Sequence, residues 1–177
     1  MLEALITSKT RIKLLLKFFL NIQNTGYLRS LESEFGESTN AIRYELNKFT
    51  SAGLLTKRNV NNKKLYQANT NHPLFPEINR ILRKYVGIDE IIDNVVLQIG
   101  ELEAVYLLGN LAKGVESPVL EIWLIGQNIE EKYLKKLIKK TENIINRKIK
   151  YLIFAKSDFD HGDSIIKNND ALMLWRR

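Results

Sequence analysis

Cysteine is absent from the 177 residues, which excludes a disulfide framework and a thiolate metal site. That fits a reducing compartment, and the expected location is the cytoplasm. Only two histidines occur, His72 and His161, too few for a ligand set. Each reads as a helix-start or surface residue, and neither a metal nor a cofactor is expected. Long apolar runs are missing as well. The longest, such as Val119–Gly126, includes Glu121 and is far shorter than the roughly 20 residues a membrane span needs, so no membrane partner is expected. Residues 1–10 lack the charged-then-apolar layout of a signal peptide. There is no internal repeat and no low-complexity tract. What is present is a hydrophobic fraction of 45 %, which supports a folded core and excludes global disorder. The length accommodates one large domain or two small ones.

Charge is unevenly placed. Residues 1–86 hold 14 Lys and Arg against 6 Asp and Glu, a net of +8. Residues 87–177 hold 13 against 14, a net of −1. A basic half joined to a neutral half suggests that the first half meets a polyanion.

The apolar positions Ile12, Leu15, Leu16, Phe19 and Leu20 follow helical spacing, predicting a helix over 9–22. Asn24, Thr25 and Gly26 break it. A short second helix over Leu28–Phe35 turns Leu28, Leu31 and Phe35 inward and stops at Gly36. Ser38 or Thr39 then caps a third helix reaching Ser51, with Ile42, Leu46 and Phe49 inward. Residues 54–58 and 63–68, separated by an Asn-rich tip, read as a hairpin. Helix, helix, turn, helix and hairpin is the order of a winged helix-turn-helix. His72-Pro73 opens a further helix carrying Ile78, Ile81, Leu82 and Tyr85. Gly87 interrupts it, and a stripe of Ile88, Ile91, Ile92, Val95, Val96 and Ile99 follows, closed by Gly100. Two readings of that stripe are open: dimerisation, or packing on the chain's own second domain. The remainder alternates strand (102–108), strand (119–125), helix (130–146, with Leu134, Leu137, Ile138, Ile144 and Ile145 inward), strand (148–155) and a fourth strand over 171–175. Interleaved strands and helices predict a small α/β domain. The expected organisation is a DNA-binding domain with its following helix over 1–86, and a helical connector with an α/β domain over 87–177.

With Ile42, Leu46 and Phe49 inward, the third helix shows Asn40, Tyr44, Asn47, Lys48 and Ser51 outward, with Arg43 at the flank and Thr39 at the start. Glu45 falls nearer the buried side, so this face carries no carboxylate. Asn and Arg address base edges bidentately, while Lys, Tyr and Ser suit phosphates. The hairpin adds Lys57, Arg58, Lys63 and Lys64, which suit the backbone beside a groove. A solvated helix face and hairpin is the plain alternative.

Several segments together carry a family resemblance. Ser8-Lys9-Thr10-Arg11, Ala41-Ile42-Arg43-Tyr44-Glu45-Leu46, Ala52-Gly53-Leu54-Leu55, Tyr66-Gln67-Ala68-Asn69 and His72-Pro73-Leu74-Phe75 resemble the ArsR-type winged-helix regulators. More narrowly, the chain resembles the subgroup fused to a nucleotidyltransferase-like domain. The resemblance implies promoter DNA as partner and a homodimer. The metal-sensing cysteines of many such regulators are missing, so metal sensing is not implied.

The second half is similar to the nucleotidyltransferase core, where a Gly-Ser turn precedes a strand bearing two Asp residues two apart. In that family the turn's N–H groups hold triphosphate and the paired Asp hold Mg²⁺. This chain keeps Gly109 but has Asn110 for the Ser; the two acidic positions are Val119 and Glu121, and residues 149–154 contain Lys150 but no acid. Gly109, Asn110 and Glu121 are expected to be a remnant of the nucleotide site, and no catalytic residue and no enzymatic activity are expected, because one carboxylate is too few for a two-metal transfer. Glu121 reads first as a half-exposed strand residue. Lys132, Lys135, Lys136, Lys139 and Lys140 share one face of the long helix, which reads as a solvated outer face.

The expected function is sequence-specific DNA binding with control of transcription, as a repressor. Two rival classes remain open: an Mg²⁺-dependent nucleotidyltransferase localised by a winged helix, and a protein-interaction module that does not bind DNA.

Overall fold

A computed structural model describes residues 2–99, 101–155 and 171–177. Gly100 and His161 lie outside the described residues. The chain is mixed α and β with two sheets, and it divides into two units, 1–85 and 86–177.

The first unit opens with α1 (Leu2–Leu5) and α2 (Lys9–Leu15), continued by a π-helical turn over Leu16–Leu20. Ser8 caps α2 by accepting the Arg11 N–H at 3.2 Å. The sequence shows one apolar face here, yet Leu14 and Phe18 are as buried as Leu16 and Phe19. A segment apolar nearly all round is enclosed on every side, and even Lys17 is mostly covered. Strand β1 (Thr25–Tyr27) follows, where the sequence reading has only a break. Helix α3 (Leu28–Phe35) and helix α4 (Thr39–Ser51) come next, with Ser38 as the cap of α4. Leu31 and Phe35 are buried, whereas Leu28 is only half-buried. Both α2 and α3 pack on α4.

β2 (Leu55–Val60) and β3 (Lys63–Ala68) form the expected hairpin, closed by the pair Val60 and Lys63. Its two-residue loop, Asn61 and Asn62, has φ of 47° and 60°. Left-handed backbone at both loop residues is the turn that matches strand twist, and Asn tolerates it. β1 pairs antiparallel with β3, giving the order β1-β3-β2. The unit's core centres on Phe19, whose ring meets Phe49 edge-on at 6.4 Å and Phe75 at 5.8 Å.

Helix α5 (Phe75–Val86) begins three residues later than His72. His72 and Pro73 form the preceding turn, and it is Pro76 that occupies the first helical turn. Ile81, read from the sequence as inward, is 51 % exposed.

The second unit starts with α6 (Ile88–Asn94), which ends five residues before Ile99 and passes into a 3₁₀ turn over Val96–Gln98. The Ile88 stripe is buried: Ile88, Ile91 and Val95 have no exposed surface, and α6 packs on the unit's own α8 (Glu131–Ile145) and β7 (Leu172–Arg176). Own-chain packing, not dimerisation, therefore occupies that stripe. β4 (Leu102–Leu108) leads through the short α7 (Gly109–Ala112) to β5 (Val119–Gly126), and α8 leads to β6 (Lys148–Phe154). The sheet order is β6-β5-β4-β7, with only β5 and β6 parallel. α8 buries Leu134, Leu137 and Ile138 as expected, but Ile144 is 54 % exposed. The five lysines of α8 are all exposed.

Candidate nucleic-acid interface

Asn40, Arg43, Tyr44, Asn47, Lys48 and Ser51 are exposed on one side of α4, while Ile42, Leu46 and Phe49 are buried on the other. Thr39 is half-buried in the first turn. Two contacts order the exposed face. Arg43 Nη1 donates to Asn40 Oδ1 at 3.1 Å, and Lys48 Nζ lies 4.4 Å from the centre of the Tyr44 ring.

Acidic side chains are held away from this face. Glu45, the one acid of α4, is buried and accepts from Arg11 Nε at 2.9 Å, Arg11 Nη2 at 3.1 Å and Ser8 Oγ at 3.0 Å. Its hydrogen bonds raise the Arg11 pKa, holding the guanidinium charged. Lys17 clasps Glu34 at 2.7 and 2.9 Å. Lys13 binds Glu37 at 2.7 Å and the Phe35 carbonyl at 2.8 Å, and this holds the Glu37 carboxyl below the usual range. Three acids of α3, α4 and the turn between them are thus answered by α2 and its π-helical continuation. Among the described residues, Arg29, Arg43, Lys48, Lys57, Arg58, Lys63 and Lys64 form no ion pair with a carboxylate.

The hairpin cations split by strand alternation. Lys57 pairs in register with Tyr66, and Asn59 with Lys64, so Lys57 and Lys64 share a face. Arg58 and Lys63 belong to the other. A cleft of about 720 Å³ then brings Lys63 and Lys64 together with Arg43 and Asn47. Thr39, Asn40, Tyr44, Lys48, Lys57 and Arg58 are not part of its lining. Tyr27, Arg29 and Tyr66 are, and the sequence reading names none of them as a site residue. The available signal was Arg29, the one cation in a helix otherwise carrying two acids.

In the second unit, Val119, Glu121 and Trp123 alternate with the buried Leu120, Ile122 and Leu124. Glu121 lies opposite Leu108 on β4 and Lys150 on β6, and both Glu121 and Lys150 are exposed. They line a groove of about 600 Å³ with Leu108, Trp123 and Leu152. Gly109 has φ of +66°, and a Cβ there would meet Glu121 Oε1 at 2.6 Å. The positive φ is what favours glycine at this turn, since the exposed Glu121 carboxylate can swing away from an added Cβ. Gly109 and Glu121 therefore adjoin, and Asn110 is exposed beside them. Among the described residues, no group of three or more His, Asp or Glu side chains gathers as a metal site, and no helix is long and apolar enough to cross a membrane.

Two compact units, one carrying a carboxylate-free basic cleft and the other a half-covered mixed sheet, define a mixed α and β protein. No family model and no curated protein matches the chain. Among solved structures it is similar to a mutant MntA–HpeT toxin–antitoxin, at 15 % identity and TM-score 0.42, over 51 % of this chain and 73 % of that one. A toxin–antitoxin with AMP-PNP is similar at 14 % identity and TM-score 0.41 over the same shares. A nucleotidyltransferase from Sulfolobus solfataricus follows, at 18 % identity and TM-score 0.38 over 54 % of this chain and 83 % of that one. A transcriptional regulator for arsenical resistance is similar at 26 % identity and TM-score 0.31, over 51 % of this chain and 85 % of that one. One expectation is corrected by these findings. The sequence reading held that the chain is not an enzyme, whereas a nucleotidyltransferase and an AMP-PNP complex stand among the structures it is similar to, and that reading is withdrawn.

Proposed function

We propose that the first unit is a winged helix-turn-helix that binds duplex DNA in a sequence-specific way, and that the chain is a cytoplasmic regulator of transcription acting as a repressor. In this reading residues 1–86 form the DNA-binding domain and residues 87–177 a nucleotidyltransferase-like domain. α4 enters the major groove, and the hairpin lies along the backbone. The observation that carries the reading is the charge arrangement of the first unit. Among the described residues, seven cations on the start of α3, on α4 and on the hairpin have no carboxylate partner, while Glu34, Glu37 and Glu45 are tied to α2 and its π-helical continuation. Duplex phosphates supply the missing negative charge.

A homodimer on two symmetric half-sites gives affinity that one small domain lacks. Leu5, 80 % exposed, and Ile81, 51 % exposed, offer apolar surface on the same unit for the second copy.

The test is fluorescence anisotropy with duplex DNA taken from upstream of the protein's own gene. Arg43→Ala combined with Lys48→Ala removes about 2 kcal/mol of contact, so affinity falls roughly thirtyfold. Unchanged affinity rejects the reading.

A further inference from the structure

The cleft of the first unit extends past the surface that α4 and the hairpin provide. Its walls come from three places: Tyr27 and Arg29 at the start of α3, Arg43 on α4, and Lys63, Lys64 and Tyr66 on the hairpin. Four cationic residues line one space of about 720 Å³ at the end of the hairpin, and no carboxylate lines it. Like charges gathered without counter-charge are unfavourable until an anion arrives.

The walls are held in place by the fold itself. Tyr27 pairs with Leu65 across the β1–β3 ladder, so the start of α3 and the hairpin belong to one sheet. Ser30 Oγ accepts the Tyr27 N–H at 3.0 Å and donates to the Tyr27 carbonyl at 2.8 Å, fixing the first turn of α3. Tyr66 is 6 % exposed and forms a firm floor. The cleft is therefore preformed, and a bound anion meets little reorganisation. Its chemistry suits a phosphodiester: guanidinium and ammonium groups for the oxygens, and phenol rings against the sugar.

We infer that this cleft clamps one sugar–phosphate strand of the duplex between Arg29 on one side and Lys63 with Lys64 on the other, making Arg29 a DNA-positioning residue. The inference rests on the DNA-binding reading and adds a third element to its interface. In this arrangement α4 addresses the bases from the cleft's inner wall, and the clamp fixes how deeply it enters the groove.

The experiment measures duplex affinity of the full chain between 50 and 200 mM salt. Arg29→Ala lowers the slope of log affinity against log salt by about 0.9, the loss of one phosphate contact. Arg29→Lys keeps most of the slope, because a point charge still neutralises the phosphate. Arg80→Ala is the control: Arg80 lies on α5, 3.5 Å from Glu77, and its loss leaves the slope unaltered. A wild-type slope in Arg29→Ala overturns the clamp while DNA binding by α4 stands. An equal drop in Arg80→Ala also overturns it, because the effect is then one of net charge. Wild-type protein that binds no duplex at any salt overturns the underlying reading itself.

Discussion

Glu45 gives the sharpest test of how the first unit is held together. Its side chain is 6 % exposed and accepts three hydrogen bonds, two from Arg11 and one from Ser8. Glu45→Gln keeps the shape and removes the charge. The amide retains one oxygen, so one acceptor position becomes an NH₂ group facing the guanidinium. One charge-assisted hydrogen bond is lost, worth about 1.5–3 kcal/mol. Breaking a fully buried pair costs about 3–5 kcal/mol. Arg11 is 34 % exposed and regains water, so the lower figure applies, about 2 kcal/mol. The assay is amide hydrogen exchange on α4 under native conditions, which reads the opening of that segment directly. A loss of about 2 kcal/mol accelerates exchange roughly thirtyfold. Combining the change with Arg11→Met completes a double-mutant cycle, and the expected coupling is about 2 kcal/mol. Exchange accelerated less than threefold, or strict additivity of the two changes, refutes the reasoning.

Two predictions concern the second unit. Glu142 accepts the Ile149 N–H at 2.9 Å and lies 3.3 Å from Lys148 Nζ, and these hold its carboxyl below the usual range. A lowered native pKa stabilises the fold above the unfolded pKa, and the contribution is lost as pH falls through the native value. Glu142→Gln therefore unfolds at lower urea than wild type at pH 7, and the gap closes as pH falls through the lowered native pKa; a gap independent of pH rules out this origin. Gly87 has φ of +89°, and a Cβ there would meet Ile145 Cγ2 at 2.7 Å. Gly87→Ala combines backbone strain with overpacking and costs about 2–4 kcal/mol, read in urea unfolding followed by the emission of Trp123 and Trp175. An unchanged midpoint shows that the backbone there relaxes freely.

Periodicity made much of the fold legible. The four-residue and seven-residue spacings of α4 fixed which face turns inward, as did Leu134, Leu137 and Ile138 in α8, and the Asn-rich stretch 59–62 identified the hairpin, although β2 runs on to Val60 and only Asn61 and Asn62 form its loop; those signals are local. What escaped was non-local. β1 has three residues and exists because it pairs with β3, about 40 positions away. α5 starts at Phe75 rather than at His72-Pro73 because two prolines compete for the helix start, and the ring of Phe75 is drawn to Phe19. Ile81 and Ile144 follow the apolar period yet remain exposed, since a pattern shows what a helix is able to bury and not what is there to cover it. In the candidate interface, the outward face of α4 was readable. The cleft was not, because Arg29, Arg43 and Lys63 come from three elements.

The charge logic of the first unit shows why counting along the chain understates its surface. Residues 28–68 contain seven cations and four acids, a modest excess. Three of those acids, Glu34, Glu37 and Glu45, form ion pairs with Lys17, Lys13 and Arg11, all outside that stretch on α2 and its π-helical continuation. Glu32 alone among the four has no such partner. The cations of α2 and its continuation therefore act twice: they fasten the packed helices together, and they cancel the negative charge that would otherwise weaken the potential around α4 and the hairpin. Partly buried pairs of this kind are screened less by salt than exposed ones. The carboxylates thus stay neutralised as salt rises, and it is folding, not composition, that leaves the positive excess at the cleft.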